Sequence, residues 1–266
     1  GRRWTATDEG LAVTLADLVQ AALTRARLHD EQHAVLLRFQ QTLLTPPAPI
    51  DGFDVAVGYR PALDAIGRGG DWYSIIETAD RIYAVVGDVA GHGPSAIAYM
   101  AEVKSILRHL LTVDTPIEDA LDQADWALRR RNTNATAVIV ELDKHSQTMR
   151  YVNAGHLPAL LFSESGGTTR LDQLHRPLLG VEHPSLVAPT TTRLGEGELL
   201  VLYTDGLIEE RRQLIDIGID DLALRIDREA PAATIVDSLL ADRLSLRTEQ
   251  SVDDDIAVVA IARRRG

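Results

Sequence analysis

The stretch Arg81-Ile82-Tyr83-Ala84-Val85-Val86-Gly87-Asp88-Val89-Ala90-Gly91-His92-Gly93 decides the fold. Its apolar run, Ile82 to Val86, has the β-branched and aromatic content of a buried strand, and it stops at an acid set among glycines. A helical pattern over 94–111, with proline at its start, follows at once. Such a strand delivers its carboxylate to a turn where the backbone can bend tightly and approach a ligand. Three further acids stand at comparable places: Asp71 after Gly69-Gly70, Asp205 in Tyr203-Thr204-Asp205-Gly206, and Asp254 in Asp253-Asp254-Asp255-Ile256. Singly, each reads equally well as a turn, a cap or a solvated charge. Together, carboxylates at strand ends from distant parts of one chain point to one site. Gathered without a cation they would repel and shift one another's pKa values. Divalent ions remove that cost, and two ions sharing a carboxylate can clamp a phosphate.

Composition narrows the chemistry. The chain has 266 residues, 45% hydrophobic and 25% charged, enough for one large core with an appendage. It contains no cysteine, so any metal is held by oxygen or imidazole, and carboxylate-rich sites suit Mn²⁺ or Mg²⁺. The formal net charge of −12 disfavours nucleic acid and anionic membranes as partners. No apolar run reaches the roughly 18 residues of a membrane helix and no signal peptide is visible, so a cytoplasmic protein is expected.

Two domains are expected, 1–45 and 46–266. Residues 11–44 read as one helix, about 50 Å long if continuous. Leu11, Leu15, Leu18, Ala22, Arg25, His29, Gln32, Leu36, Phe39 and Leu43 fall four and three apart, a heptad seam with a polar middle. The seam fits a helix lying on its own domain, or a stalk that pairs two copies of the chain. Pro46-Pro47-Ala48-Pro49 ends it as a stiff linker. Beyond the linker, strands are expected over 53–59, 72–77, 81–89, 135–142, 149–153, 159–162, 198–204 and 255–262. Helices are expected over 94–111, 116–131, 219–229 and 231–247. Strands in runs with paired helices between them argue for antiparallel sheets packed by helices.

Tyr59-Arg60-Pro61-Ala62, Gly69-Gly70-Asp71-Trp72-Tyr73, Gly87-Asp88-Val89-Ala90-Gly91-His92-Gly93, Asn153-Ala154-Gly155-His156-Leu157-Pro158, Tyr203-Thr204-Asp205-Gly206 and Asp254-Asp255-Ile256-Ala257 occur in that order. With these motifs, about residue 35 to 262 resembles the bacterial PPM-type serine/threonine phosphatases of the RsbU/SpoIIE group. The resemblance implies an α/β fold, an α-β-β-α sandwich of two mainly antiparallel sheets flanked by helix pairs, here with an N-terminal helical stalk. It implies two Mn²⁺ or Mg²⁺ ions and hydrolysis of phosphoserine or phosphothreonine by a water that the ions activate. The substrate it implies is a phosphorylated STAS-domain regulatory protein, an anti-anti-sigma factor in a partner-switching pathway.

Carried onto this chain, Asp88 would bridge the ions, Val89 (through its carbonyl) and Asp71 would complete one, and Asp205 and Asp254 the other. Asp255, beside a ligand position, would join the set or only orient water. His92 is a candidate general acid, whereas His156 reads as ordering a turn. Where many relatives have a further aspartate, this chain has Ser74. No dedicated phosphate-clamping arginine stands out; Arg60, Arg68, Arg211 and Arg212 are candidates. Residues 15–28 also resemble the last helix of a GAF sensor domain, which implies an upstream sensor. The competing reading is a catalytically weak binding or relay module of the same fold, governed by its N-terminal helix.

Overall fold

The computed structural model describes residues 5–62, 70–173, 175–182, 187–208, 214–245 and 254–265. The chain divides into two compact units, Gly1–Thr42 and Leu43–Gly266. Helix α1, Ala6–Leu43, makes up the first. It starts one turn before the sequence reading placed it, despite Gly10, because Thr5 and Asp8 cap it. The Asp8 carboxylate accepts the Thr5 N–H at 2.9 Å and the Thr5 hydroxyl oxygen accepts the Asp8 N–H at 3.3 Å. Leu11, Leu15 and Leu18 of the seam are more than half exposed. The side chains of His29, Gln32, Leu36 and Phe39 lie outside the described residues. On either side of the proline linker the chain packs into the second unit: Leu44 and Ile50 are buried and the Tyr73 hydroxyl donates to the Leu44 carbonyl at 3.4 Å.

The second unit is a sandwich. One sheet contains β2 (Asp71–Glu77), β3 (Arg81–Val89), β4 (Ala135–Asp143) and β5 (Thr148–Ala154), paired antiparallel in that order. Along the outer edge of β5 lie β8 (His175–Arg176), parallel, and β9 (Thr190–Arg193), antiparallel. The other sheet runs β1 (Phe53–Arg60), β11 (Ile256–Arg263), β10 (Leu199–Tyr203), β6 (Ala159–Phe162) and β7 (Thr168–Leu171), all antiparallel. β3, β10 and β11 read as apolar runs because they are buried on both faces, and β11 lies against β2 and β3 across the sandwich.

Helices α2 (Pro94–Thr112) and α3 (Ile117–Arg131) cover the first sheet, and α4 (Ile215–Arg225) and α5 (Ala232–Ser245) the second. The expected α-β-β-α sandwich is therefore present. The expected helix 219–229 is displaced: α4 begins at Ile215 and stops at Arg225. There the Asp227 carbonyl accepts the Ala230 N–H at 3.1 Å and the Asp227 carboxylate accepts the Glu229 N–H at 3.2 Å, closing a turn before Pro231. α5 then starts where Asp54 of β1 accepts the Ala232 N–H at 2.8 Å. Strands β7, β8 and β9 had not been read from the sequence; they are two to four residues long, and β7 and β9 are Thr-rich. Among the described residues no helix is long and apolar enough to cross a membrane.

Candidate metal centre

The sheets bring the acids together at one end of the sandwich. Asp71 opens β2 and stands directly opposite Asp88 of β3 in the antiparallel register. Gly70 is packed so tightly here that a Cβ on it would lie 2.2 Å from Asp88 Oδ1 and 2.3 Å from the Val89 carbonyl oxygen. Only glycine leaves room for those two oxygens to converge. From the second sheet, β10 ends at Tyr203 and a 3-10 turn, Asp205–Leu207, follows. A Cβ on Gly206 would meet the Asp255 carbonyl oxygen at 2.1 Å, so glycine again permits the approach that sets Asp205 beside the start of β11.

The charges of these side chains act on neighbouring acids across the two sheets. Burial holds the Asp71 carboxyl well above the usual carboxylate range; Asp88, Asp205 and Asp255 push it further, against a hydrogen bond with Thr204. Burial is also the first cause raising Asp88 to about 7, followed by the charges of Asp205 and Asp254; a hydrogen bond with Asp71 opposes them and Asp255 adds a smaller push. Asp88 thus feels Asp71, Asp205 and Asp254, and Asp71 feels Asp88 and Asp205. Among the described residues, no three Asp, Glu or His side chains form a ready-made ligand set.

The donors nevertheless fit a hard divalent ion. They are carboxylates plus one backbone carbonyl, with no cysteine thiolate in the chain. Asp71 Oδ2 is buried without a hydrogen-bond partner, a costly state for a carboxylate oxygen and one that a cation would relieve. Gly69 and Asp253, which flank the acids in the motifs, lie outside the described residues.

The neighbouring acids Asp254 and Asp255 have different jobs. Asp255, expected among the ligands, is buried with both oxygens engaged: Tyr59 Oη donates to Oδ2 at 2.5 Å and the Ala62 N–H donates to Oδ1 at 2.8 Å. Its carboxylate anchors the Tyr59-Arg60-Pro61-Ala62 segment. Asp254 is half-buried, and its Oδ1 accepts the Asp255 N–H at 2.9 Å. Thr204 locks the adjoining strand ends, donating its N–H to Ala257 O at 3.0 Å and accepting the Ala257 N–H at 2.8 Å.

A cavity of about 500 Å³ opens beside Asp88 and Asp205. Thr136, His156, Arg170 and Ile219 are also in its wall. Arg170 escaped the sequence reading. It sits on the short strand β7 and is gripped by α4, at 2.7 Å from Asp216 Oδ1 and 2.6 Å from Asp220 Oδ1. The four-residue spacing of Asp216 and Asp220 on one helix face was the available signal. Of the arginines considered earlier, Arg60 donates to the Leu240 carbonyl at 2.9 Å and so ties β1 to α5; Arg68, Arg211 and Arg212 lie outside the described residues. His92 is exposed between β3 and α2 and is not in the cavity wall. Ser74 is buried with its hydroxyl unpartnered. At the turn where His156 stands, the side chain of Asn153 does the ordering, its Oδ1 accepting the His156 N–H at 2.8 Å.

Comparison with known proteins identifies the family. The family profile described as Stage II sporulation protein E (SpoIIE) matches residues 78–264, well over half of the chain, and the chain belongs to that family of PPM-type phosphatase domains. The phosphoserine phosphatase RsbP of Bacillus subtilis is 24% identical over 245 residues, covering 88% of this chain and 59% of RsbP. The phosphoserine phosphatase RsbU of the same organism is 24% identical over 234 residues, covering 85% of this chain and 68% of RsbU. The crystal structure of the RsbU and RsbW domains of Rv1364c from Mycobacterium tuberculosis superposes with a TM-score of 0.69 at 29% identity, over 82% of this chain and 61% of that one. The chain thus spans about three fifths of the length of RsbP and of the Rv1364c structure.

The raised pKa of Asp88 fixes the sign of a stability effect. The folded chain keeps a proton up to about pH 7 that an unfolded chain releases near pH 4. Metal-free stability is therefore greatest at or below about pH 4, as far as this group decides, and is lost as pH rises through 7. With chelator present, Asp88→Asn is expected to stabilise the fold at pH 8 by about 1–3 kcal/mol, with a smaller gain at pH 5.5. Thermal unfolding of both proteins at the two pH values measures this, and an asparagine variant no more stable at pH 8 would refute it.

Proposed function

We propose that this chain is a metal-dependent phosphoserine and phosphothreonine protein phosphatase using two Mn²⁺ or Mg²⁺ ions. The observation that carries the reading is the convergence of Asp71, Asp205 and Asp254 on Asp88, which stands opposite Asp71 in the strand register and opens on a cavity. Asp88 would be the shared carboxylate, Asp71 and the Val89 carbonyl would hold one ion, and Asp205 and Asp254 the other. Once bound, the ions would supply Lewis acidity toward the phosphoryl oxygens and lower the pKa of water.

The chain's own residues do the rest. Asp255 holds the end of β1 against the start of β11, which keeps Asp254 at the site. Thr204 fixes the strand end that precedes Asp205. His92, exposed just before α2, would be the general acid toward the leaving serine or threonine oxygen, reached from outside the cavity wall. The cavity wall would receive the residues around the phosphorylated side chain.

The phosphorylated substrate we propose is a STAS-domain anti-anti-sigma factor, in a partner-switching pathway that controls a sigma factor. Likeness to RsbP and RsbU, both phosphoserine phosphatases, supports this. The domain boundary falls at the linker, with 46–266 as the phosphatase and 1–45 as a stalk following a GAF-like sensor. The exposed leucine row on α1 supports pairing of two copies through the stalk.

Hydrolysis of an aryl phosphate should require Mn²⁺ or Mg²⁺ and fall about a thousandfold or more in Asp88→Asn. No turnover at saturating metal with an intact fold would instead favour the binding-module reading. The folded phosphoprotein should exceed a phosphopeptide in kcat/KM, because remote contacts add to transition-state binding only when the partner supplies them; equal values would count against a protein substrate. Sedimentation should show self-association of the whole chain and a monomer for a chain beginning at Pro46. Identical masses per particle for the two would remove the stalk from the proposal.

A further inference from the structure

The buried imidazole of His156 makes two hydrogen bonds that reach opposite sides of the sandwich. Its Nδ1 lies 2.8 Å from Thr136 Oγ1 on β4, and its Nε2 lies 3.1 Å from the carbonyl oxygen of Tyr203, the last residue of β10. A carbonyl only accepts, so Nε2 carries the hydrogen and Nδ1 accepts from the threonine hydroxyl. Thr136 is the residue directly opposite Asp88 in the β3–β4 register. Tyr203 stands two residues before Asp205 in the other sheet. The ring thus links the strand beside one acid to the strand end that carries the other.

The backbone that carries the ring is held. The His156 N–H donates to Asn153 Oδ1 at 2.8 Å, and Asn153 Nδ2 donates back to the His156 carbonyl at 3.0 Å. Gly155, at φ +66°, supplies the left-handed step that turns the backbone between them. Burial lowers the imidazole pKa to about 4, so the ring stays neutral and keeps this tautomer at working pH. Apolar packing between β11 and the first sheet is non-directional and by itself does not fix their offset. Two aimed hydrogen bonds fix it at the end where the acids meet. Oxygen ligands of Mg²⁺ and Mn²⁺ tolerate little error in spacing, so a small slide would weaken binding.

We infer that His156 is a positioning residue that sets the separation of the Asp88 and Asp205 carboxylates and thereby the affinity of the site for divalent ions. This rests on the two-ion reading above. Mn²⁺ binding measured by calorimetry on the whole chain tests it, with near-ultraviolet circular dichroism on the same samples to verify folding. His156→Phe, which keeps a ring but neither hydrogen bond, should weaken Mn²⁺ binding about tenfold or more. His156→Gln, which can restore one or both bonds, should recover part of the loss. Thr136→Val should weaken binding in the same direction and decides the matter if His156→Phe does not fold. Leu239→Val, in the core beneath α5, is the control for lowered stability and should leave Mn²⁺ affinity unchanged. Folded His156 and Thr136 variants that bind Mn²⁺ as tightly as the unaltered chain would overturn the positioning role alone. An unaltered chain that takes up no Mn²⁺ would overturn the two-ion reading and this inference with it.

Discussion

Repulsion among aspartates crowded at one end of the sandwich is the constraint that the rest of the structure answers. Left to itself, such a group would spread apart or neutralise by taking up protons, and the rise of Asp88 to about 7 is that second response. What prevents spreading is that none of the four carboxylates stands on a long free loop. Asp71 and Asp88 are paired across a ladder, and Asp205 and Asp254 stand within two residues of β10 and β11. Moving any one of them means breaking strand pairing that the apolar core on both faces supports.

The arrangement explains why a two-sheet architecture carries this site. Each sheet contributes two acids, so the distance between the pairs is the distance between the sheets at one end. Glycine at positions 70 and 206 allows closer approach than a side chain would, and Thr204 with Asp255 pins the neighbouring backbone. Asp254 and Asp255 show how finely this divides labour. One step along the chain turns a carboxylate from the shared site to an internal anchor on Tyr59 and Ala62.

Much of this was legible in the sequence, for physical reasons. Strands such as β3 and β11 announce themselves because they are buried on both faces and so must be apolar throughout. The acids stand out because they interrupt those runs beside glycines. Short strands β7 to β9 did not stand out: two of them are threonine-rich, and their pairing partners rather than their own pattern hold them in place. The role of Asp255 was hidden because its partners lie nearly the whole domain away in sequence, at Tyr59 and Ala62. Arg170 was hidden for the same reason, since its partners are on α4. The start of α4 lay beyond the reach of periodicity, and its end was set by a turn around Asp227.

The sign of the charge at the site leads to a last step. A phosphorylated side chain brings about two negative charges toward a cluster that is already acidic. Arg170, in the cavity wall, offers little compensation, because Asp216 and Asp220 already neutralise it. Without cations the cavity would therefore repel the very group it is proposed to receive. Binding of divalent ions and binding of the phosphoryl group are then not separate properties. The same aspartates that exclude phosphate when bare create the attraction for it when charged with metal, so whatever sets their spacing also sets when the site can accept a substrate.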